Sequence, residues 1–198
     1  MLVLLDTSQK LDDCAAELGC EVEQLLTPLT RYKLQRPDSR FAIDNGAFSS
    51  FDVKAFNALL AREFDRRHNC IFVCAPDVVG SARRTLEVFH RWKTKLIDWP
   101  VALVAQDGQQ DLEIPWDEIK AIFIGGTTEF KLSKHTEQIV KAAKALDKWV
   151  HVGRVNTPGR FEYFEKMGAD SIDGTGLSRY SGMRDAIRIS AMQPEIFA

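Results

Sequence analysis

Short apolar runs that stop at glycine, proline or a carboxylate recur along this chain, with amphipathic stretches between them. Residues 1–5 form the first run and read as a buried strand. Over residues 10–26, Leu11, Cys14, Ala15, Leu18, Val22, Leu25 and Leu26 recur at helical spacing, interrupted near Gly19. Residues 31–40 are polar and basic, contain Pro37 and Asp38, and read as a loop. A strand over 41–44 then stops at Asn45-Gly46, and a helix over 53–64 carries Phe56, Leu59, Leu60 and Phe64 on one face. The run 70–75 stops at Pro76-Asp77, and Ser81 is placed to cap a helix reaching about Leu96.

The same rhythm continues to the end of the chain. Residues 101–105 stop at Gln106-Asp107-Gly108, and a short helical turn over 116–119 leads to the run 121–124, which stops at Gly125-Gly126. A helix is expected over 131–146, a strand over 149–152 ending at Gly153, and a helix over 158–167 opened by Pro158. The last strand, 170–173, has one large apolar residue, Ile172; it gives way to a flexible turn at Gly174 and Gly176, then to a closing helix over 179–192. The runs do not alternate polar with apolar, the pattern of parallel strands covered on both faces.

Seven strand candidates separated mostly by helices predict one α/β domain over residues 1–198. Strand starts about 20–30 residues apart match βα units. A small or incomplete (β/α)8 barrel fits best, since an intact one usually takes roughly 250 residues. An open doubly wound sheet is the second choice. Gly125-Gly126 lacks the spacing of a dinucleotide fingerprint, and no cofactor is expected.

Composition changes this picture little: 198 residues, 45% hydrophobic and 27% charged, are ordinary globular usage. The net charge of −2 argues against a basic coat but not against a local basic patch. Cys14, Cys20, Cys70 and Cys74 show no paired ligand spacing, so no metal is expected. With no secretory signal and no apolar run of membrane length, a cytoplasmic protein with reduced thiols and no membrane contact is expected.

The chemistry concentrates at strand ends. Asp44, Asp77, Gln106, Gly125-Gly126, Gly153 and Asp173 each follow an apolar run, and in a barrel they converge on one rim. A lone Asp there is commonly a turn or capping residue; three with a glutamine suggest a site. Facing carboxylates suit glycosidic chemistry, one attacking the sugar carbon and one handling the leaving group's proton. A carboxylate and an amide also match a purine-like edge, and Phe48 can stack on a base. Arg154 and Arg179 follow strand ends on that rim and are the better candidates for phosphate, whereas Arg160, Arg184 and Arg188 read as helix surface. His151, inside a strand, reads as a satisfied core residue.

These residues resemble the tRNA-guanine transglycosylases. Asp44-Asn-Gly-Ala-Phe48 is similar to the family's Asp-x-Gly-x-aromatic, Val104-Ala-Gln106-Asp-Gly108 to its Val-Gln-Gly-Gly, and Ile124-Gly125-Gly126 to its Ile-Gly-Gly. Val150-His-Val-Gly153 is similar to the next glycine-centred strand end. Gly168-x-Asp170-x-x-Asp173 with Arg179 matches Gly-x-Asp-x-x-Asp followed six residues later by Arg. The resemblance implies Asp173 as nucleophile on the sugar C1′ and Asp44 as general acid/base. It implies Asp77, Gln106 and Gly126 as readers of the base edge, with Phe48 stacking. Its zinc subdomain has no counterpart here, since no Cys follows Cys74. What it implies is a minimal relative, similar to the compact proteins that place 7-deazaguanine bases into DNA, with tRNA as the other candidate polymer. A free-nucleoside hydrolase or transferase and a non-catalytic deazapurine-binding partner subunit stay open, as does a homodimer.

Overall fold

The computed structural model describes residues 1–30, 33–36 and 38–192. Arg31 and Pro37 of the expected loop lie outside the described residues; the rest of 33–40 has neither helix nor strand. Eight parallel strands close in chain order into a barrel: β1 (Leu2–Leu5), β2 (Val22–Leu26), β3 (Phe41–Ile43), β4 (Cys70–Cys74), β5 (Val101–Ala105), β6 (Ala121–Ile124), β7 (Trp149–Val152) and β8 (Ser171–Asp173). β1 pairs with β2 through Val3↔Val22 and with β8 through Val3↔Ile172, which closes the ring. The barrel is complete, and the doubly wound alternative is excluded.

The helices are α1 (Leu11–Leu18), α2 (Val53–Glu63), α3 (Ala82–Trp92), α4 (Thr128–Lys131), α5 (Lys134–Ala145), α6 (Pro158–Met167), α7 (Thr175–Arg179) and α8 (Ser181–Met192). Their starts follow from side chains able to bond the orphan amides of a first turn. Asp52 accepts from the amides of Lys54 and Ala55, and Ser81, Thr127, Ser133 and Thr157 cap α3, α4, α5 and α6 in the same way. Pro158 occupies the first turn of α6, as expected.

The expected helical stretch over 10–26 is corrected. It splits into α1 and β2, a strand absent from the seven expected, because Gly19 ends the helix in the left-handed conformation, φ 72°, with its N–H on the Ala15 carbonyl at 2.8 Å. Residues 131–146 likewise divide, since Ser133 caps a new helix instead of continuing α4. The expected flexible turn at Gly174–Gly176 is also corrected: Gly174 is extended and Thr175 opens α7.

Two apolar layers follow from the period-2 alternation of the strands. Leu2, Leu4, Leu25, Ala42, Phe72, Cys74, Ala102, Val104, Ala121 and Phe123 fill the barrel. Val3, Leu5, Val22, Leu26 and Ile43 face outward and join helix residues such as Phe56, Phe89, Val140 and Phe164. Arg184, expected on a helix surface, is instead buried. It satisfies its guanidinium with Glu17 Oε2 (2.5 Å), Gln9 Oε1 (2.8 Å) and the Leu177 carbonyl (2.6 Å), tying α8 to α1 and α7.

Phe164 has 1% of its surface exposed, so Phe164→Ala should cost about 3–5 kcal/mol in urea unfolding. Gly19→Ala should cost only about 1 kcal/mol. An added Cβ there meets nothing nearer than Arg188 Cγ at 3.4 Å, and only the backbone objects. A neutral Gly19→Ala would mean that α1 does not end in the left-handed turn.

Candidate active site

A cavity of about 290 Å³ opens at the C-terminal ends of the strands. Asp6 follows β1, Thr27 follows β2, Asp44 follows β3, Asp77 lies beyond β4, Gln106 follows β5, Gly125 and Gly126 follow β6, Arg154 lies beyond β7, and Asp173 ends β8. Phe48 and Arg179 line the same space. Of the residues singled out in the sequence, the structure therefore brings together Asp44, Phe48, Asp77, Gln106, Gly125, Gly126, Asp173 and Arg179.

Gly153 does not belong to this lining. Its N–H bonds the Ile124 carbonyl at 3.2 Å, its carbonyl accepts from the Lys131 ammonium, and a Cβ there would strike the Phe123 ring at 2.6 Å. It is a close-packing glycine beneath the rim, with its backbone groups already used. Gly125 also spends its N–H internally, on the Ala105 carbonyl at 2.9 Å.

Asp173 is held from two sides. His151 Nε2 lies 2.9 Å from Oδ2, and the Arg154 N–H donates to Oδ1 at 3.0 Å. Arg154 adopts a positive φ of 60°, uncommon for a residue with a side chain, and that conformation accompanies the amide's donation to the carboxylate. Its guanidinium bonds the Gly126 carbonyl at 2.6 Å and lies 4.2 Å from the Phe48 ring centre. One face of the exposed Phe48 ring is therefore already covered by a cation.

Asp44 has a different environment. The Gly46 N–H donates to Oδ1 at 3.2 Å, but burial raises its pKa to about 7, with the neighbouring charges of Asp173 and then Asp77 adding to the shift. At neutral pH this carboxyl both carries and releases a proton. Burial also raises the pKa of Asp77, against hydrogen bonds from Asn45 and Gln106.

Asp77 and Gln106 form an internal chain. Asn45 Nδ2 donates to Asp77 Oδ1 at 2.9 Å and to the Ala75 carbonyl at 2.8 Å. Gln106 Nε2 donates to Asp77 Oδ2 at 2.6 Å, and the Gly80 N–H donates to Gln106 Oε1 at 3.0 Å. The amide orientation of Gln106 is thus fixed before any ligand arrives, leaving one N–H on Nε2 and the outer lone pairs of Asp77 for recognition.

Sequence reasoning passed over Asp6 and Asn45 and set His151 aside. Asp6 shared the strand-end signal of the others; it accepts from Thr30 Oγ1 at 2.8 Å. Four carboxylates against Arg154 and Arg179 leave the cavity anionic. A second space of about 500 Å³ adjoins it through Phe48, Val79, Gly126 and Arg154, and holds Lys131, Arg154 and Arg160 against one carboxylate, Asp107. Burial lowers the Lys131 pKa to about 8. Among the described residues no group of three or more His, Cys, Asp or Glu is arranged to hold a metal ion. No helix there is long and apolar enough to cross a membrane.

No protein-family model matches the chain, and no curated protein does. Solved structures do. A chain of the Amycolatopsis orientalis BexX/CysO complex is similar over 100% of this chain and 94% of its own, at 11% identity and a TM-score of 0.57. Phosphoribosyl anthranilate isomerase from Thermus thermophilus matches over 96% and 97%, at 14% identity and a TM-score of 0.47. A native KDPGal structure matches over 96% and 93%, at 15% identity and a TM-score of 0.43. Neither of these last two reaches a TM-score of one half, and at these identities the likeness is one of fold alone. None of the three is named as a transglycosylase, so that resemblance rests on the motif residues.

Proposed function

We propose that the chain is an enzyme that exchanges a guanine-type base for a 7-deazaguanine-type base on a nucleic acid, DNA before tRNA, through a glycosyl-aspartate intermediate. One observation carries this reading: a carboxylate held from two sides, Asp173, shares a cavity with a carboxyl whose pKa is raised to about 7, Asp44. A fixed nucleophile beside a proton carrier is what a double displacement at a sugar carbon requires.

In the first half-reaction an oxygen lone pair of Asp173 forms a bond to C1′ while the C1′–N9 bond breaks. Its electron pair leaves with the base, which takes the proton of Asp44. In the second, the incoming base gives its N9 proton to the Asp44 carboxylate and N9 attacks C1′. The C1′–O bond breaks, and its electrons return to Asp173. The anionic cavity suits the oxocarbenium-like sugar and the N–H edge of a purine. Its volume of about 290 Å³ suits a base with its sugar, and the adjoining cationic space favours a substrate that carries phosphate over a free nucleoside.

The decisive trial is trapping. Protein incubated with an oligonucleotide and an unreactive base analogue should yield a denaturation-resistant adduct, and Asp173→Asn should yield none while still binding the base. Near wild-type exchange by Asp173→Asn would reduce the carboxylate to a turn residue.

Asp44 gives a pH test. Its pKa is raised, so the proton needed for base departure is present below about pH 7 and lost above it. Single-turnover adduct formation should therefore fall as pH rises through about 7, while capture of the incoming base should rise. Asp44→Asn should lose about 10²–10⁴ in rate and the pH dependence with it.

Phosphate contact is tested separately. Arg160→Ala should weaken oligonucleotide binding, flatten its salt dependence by about one phosphate contact, and leave nucleoside binding unchanged. Equal loss for both would place Arg160 outside the phosphate path.

A further inference from the structure

Beneath the rim lies a buried titratable group that base exchange, as written above, leaves unused. Trp149 and His151 alternate inward on β7, and Ser171 and Asp173 do so on β8, with His151 and Ser171 paired in register. Trp149 Nε1 donates to Ser171 Oγ at 2.8 Å, Ser171 Oγ lies 2.8 Å from His151 Nδ1, and His151 Nε2 lies 2.9 Å from Asp173 Oδ2. His151 and Ser171 are wholly shielded from solvent. The imidazole is wedged between Phe72, at 5.0 Å between ring centres, and Phe123, at 4.5 Å. A ring flip there would put carbon against both Ser171 and Asp173 and break two buried hydrogen bonds.

Donor chemistry gives this chain a direction. The indole N–H can only donate, so Ser171 accepts from Trp149 and keeps its own proton. The other partner of that hydroxyl is Nδ1 of His151. If Nδ1 carried a proton, Ser171 would accept from both sides and its own hydrogen would have no acceptor in a dry interior. Nδ1 therefore accepts, and Nε2 bears the proton that meets Asp173.

We propose that His151 is a positioning residue for glycosyl transfer: the one-way chain Trp149–Ser171–His151 presents a fixed Nε2–H to Oδ2 of Asp173. This rests on Asp173 being the nucleophile. The donor fixes the plane of the carboxylate for attack on C1′. It also stabilises the charge that returns to Asp173 when the ester breaks, so both half-reactions use it. The base and sugar make no contact with a ring buried beneath the carboxylate, so His151 acts on turnover and leaves substrate affinity alone.

Two measurements test this, one of them independent of catalysis. Imidazole ¹⁵N NMR of the wild-type protein should show His151 in one state, Nε2 protonated and Nδ1 bare. Ser171→Ala should release that preference into a mixture of tautomers. A wild-type ring protonated on Nδ1, alone or together with Nε2, overturns the proposal. In steady-state exchange assays His151→Phe, which fills the space without a donor, should lower kcat by roughly 10²-fold with KM unchanged, the size of effect seen when a fixed donor is removed from an oxyanion. His151→Gln, whose amide can reach towards Oδ2, should recover part of that loss. Wild-type kcat in His151→Phe, or equal losses in Phe and Gln variants of unchanged melting temperature, overturns the proposal. If the wild-type protein exchanges no base on any substrate, the base-exchange reading fails, and the tautomer alone decides whether the directed chain to Asp173 exists.

Discussion

Closure of the sheet between β8 and β1 is the constraint on which the rim depends. The ladder Leu2↔Ser171, Val3↔Ile172 and Leu4↔Asp173 joins the last strand to the first and leaves no open edge in the ring. It places Asp173 one strand away from the end of β1, where Asp6 begins the rim, and three strands from Asp44 on the far side of β2. Residues more than a hundred positions apart in sequence thus line one cavity. Arg184 supports this closure from outside, bonding α1, α7 and α8 together behind the β8–β1 seam.

Gathering carboxylates this way has an electrostatic cost, and the structure meets it differently at each one. Asp173 accepts the Arg154 N–H and meets His151 Nε2, and Asp77 receives two side-chain amides. Asp44 receives the backbone N–H groups of Gly46 and Asn45, but it is desolvated and stands beside the charges of the other two. Desolvation and like charge both favour the neutral acid, and so the proton settles on Asp44. What raises the Asp44 pKa is desolvation and like charge, not a lack of donors.

Much of this was legible in the sequence, and the losses have physical causes. Strands β3 to β8 announced themselves because β-branched and aromatic runs end at Asp, Gln or Gly, and in a barrel such ends share one rim. β2 was hidden because Val22, Leu25 and Leu26 continue the helical spacing of Leu11, Cys14 and Leu18; Gly19 was the signal, a helix stop with a strand behind it. The mutual bonding of Asp77 and Gln106 and the coupling of His151 to Asp173 depend on register between strands, which one strand's own pattern does not carry. His151 was rightly read as a satisfied core residue, but its partner turned out to be the candidate nucleophile. Arg184 looked like surface because nothing local marks a long-range cluster with Glu17 and Gln9.

The small size of the barrel bears on where its chemistry can reside. Full-length αβ units are not all present. Between β5 and β6 there are only the 3₁₀ turns Gln109–Asp111 and Trp116–Glu118, and between β2 and β3 no α-helix occurs among the described residues. A larger barrel builds its site on long βα loops. Here the loops after β6 and β7 are short, and Gln106, Gly125, Gly126 and Arg154 lie within two residues of their strands. Rigid strand ends therefore carry the candidate machinery directly. Of the rim groups, Asp173 is anchored from the barrel interior below, through His151 and Ser171 to Trp149, while Gln106 is held by the Gly80 N–H and by Asp77. For Asp173 the barrel interior thus supplies a polar contact from below, where a histidine, a serine and an indole stand at inward positions that elsewhere in the barrel hold apolar side chains.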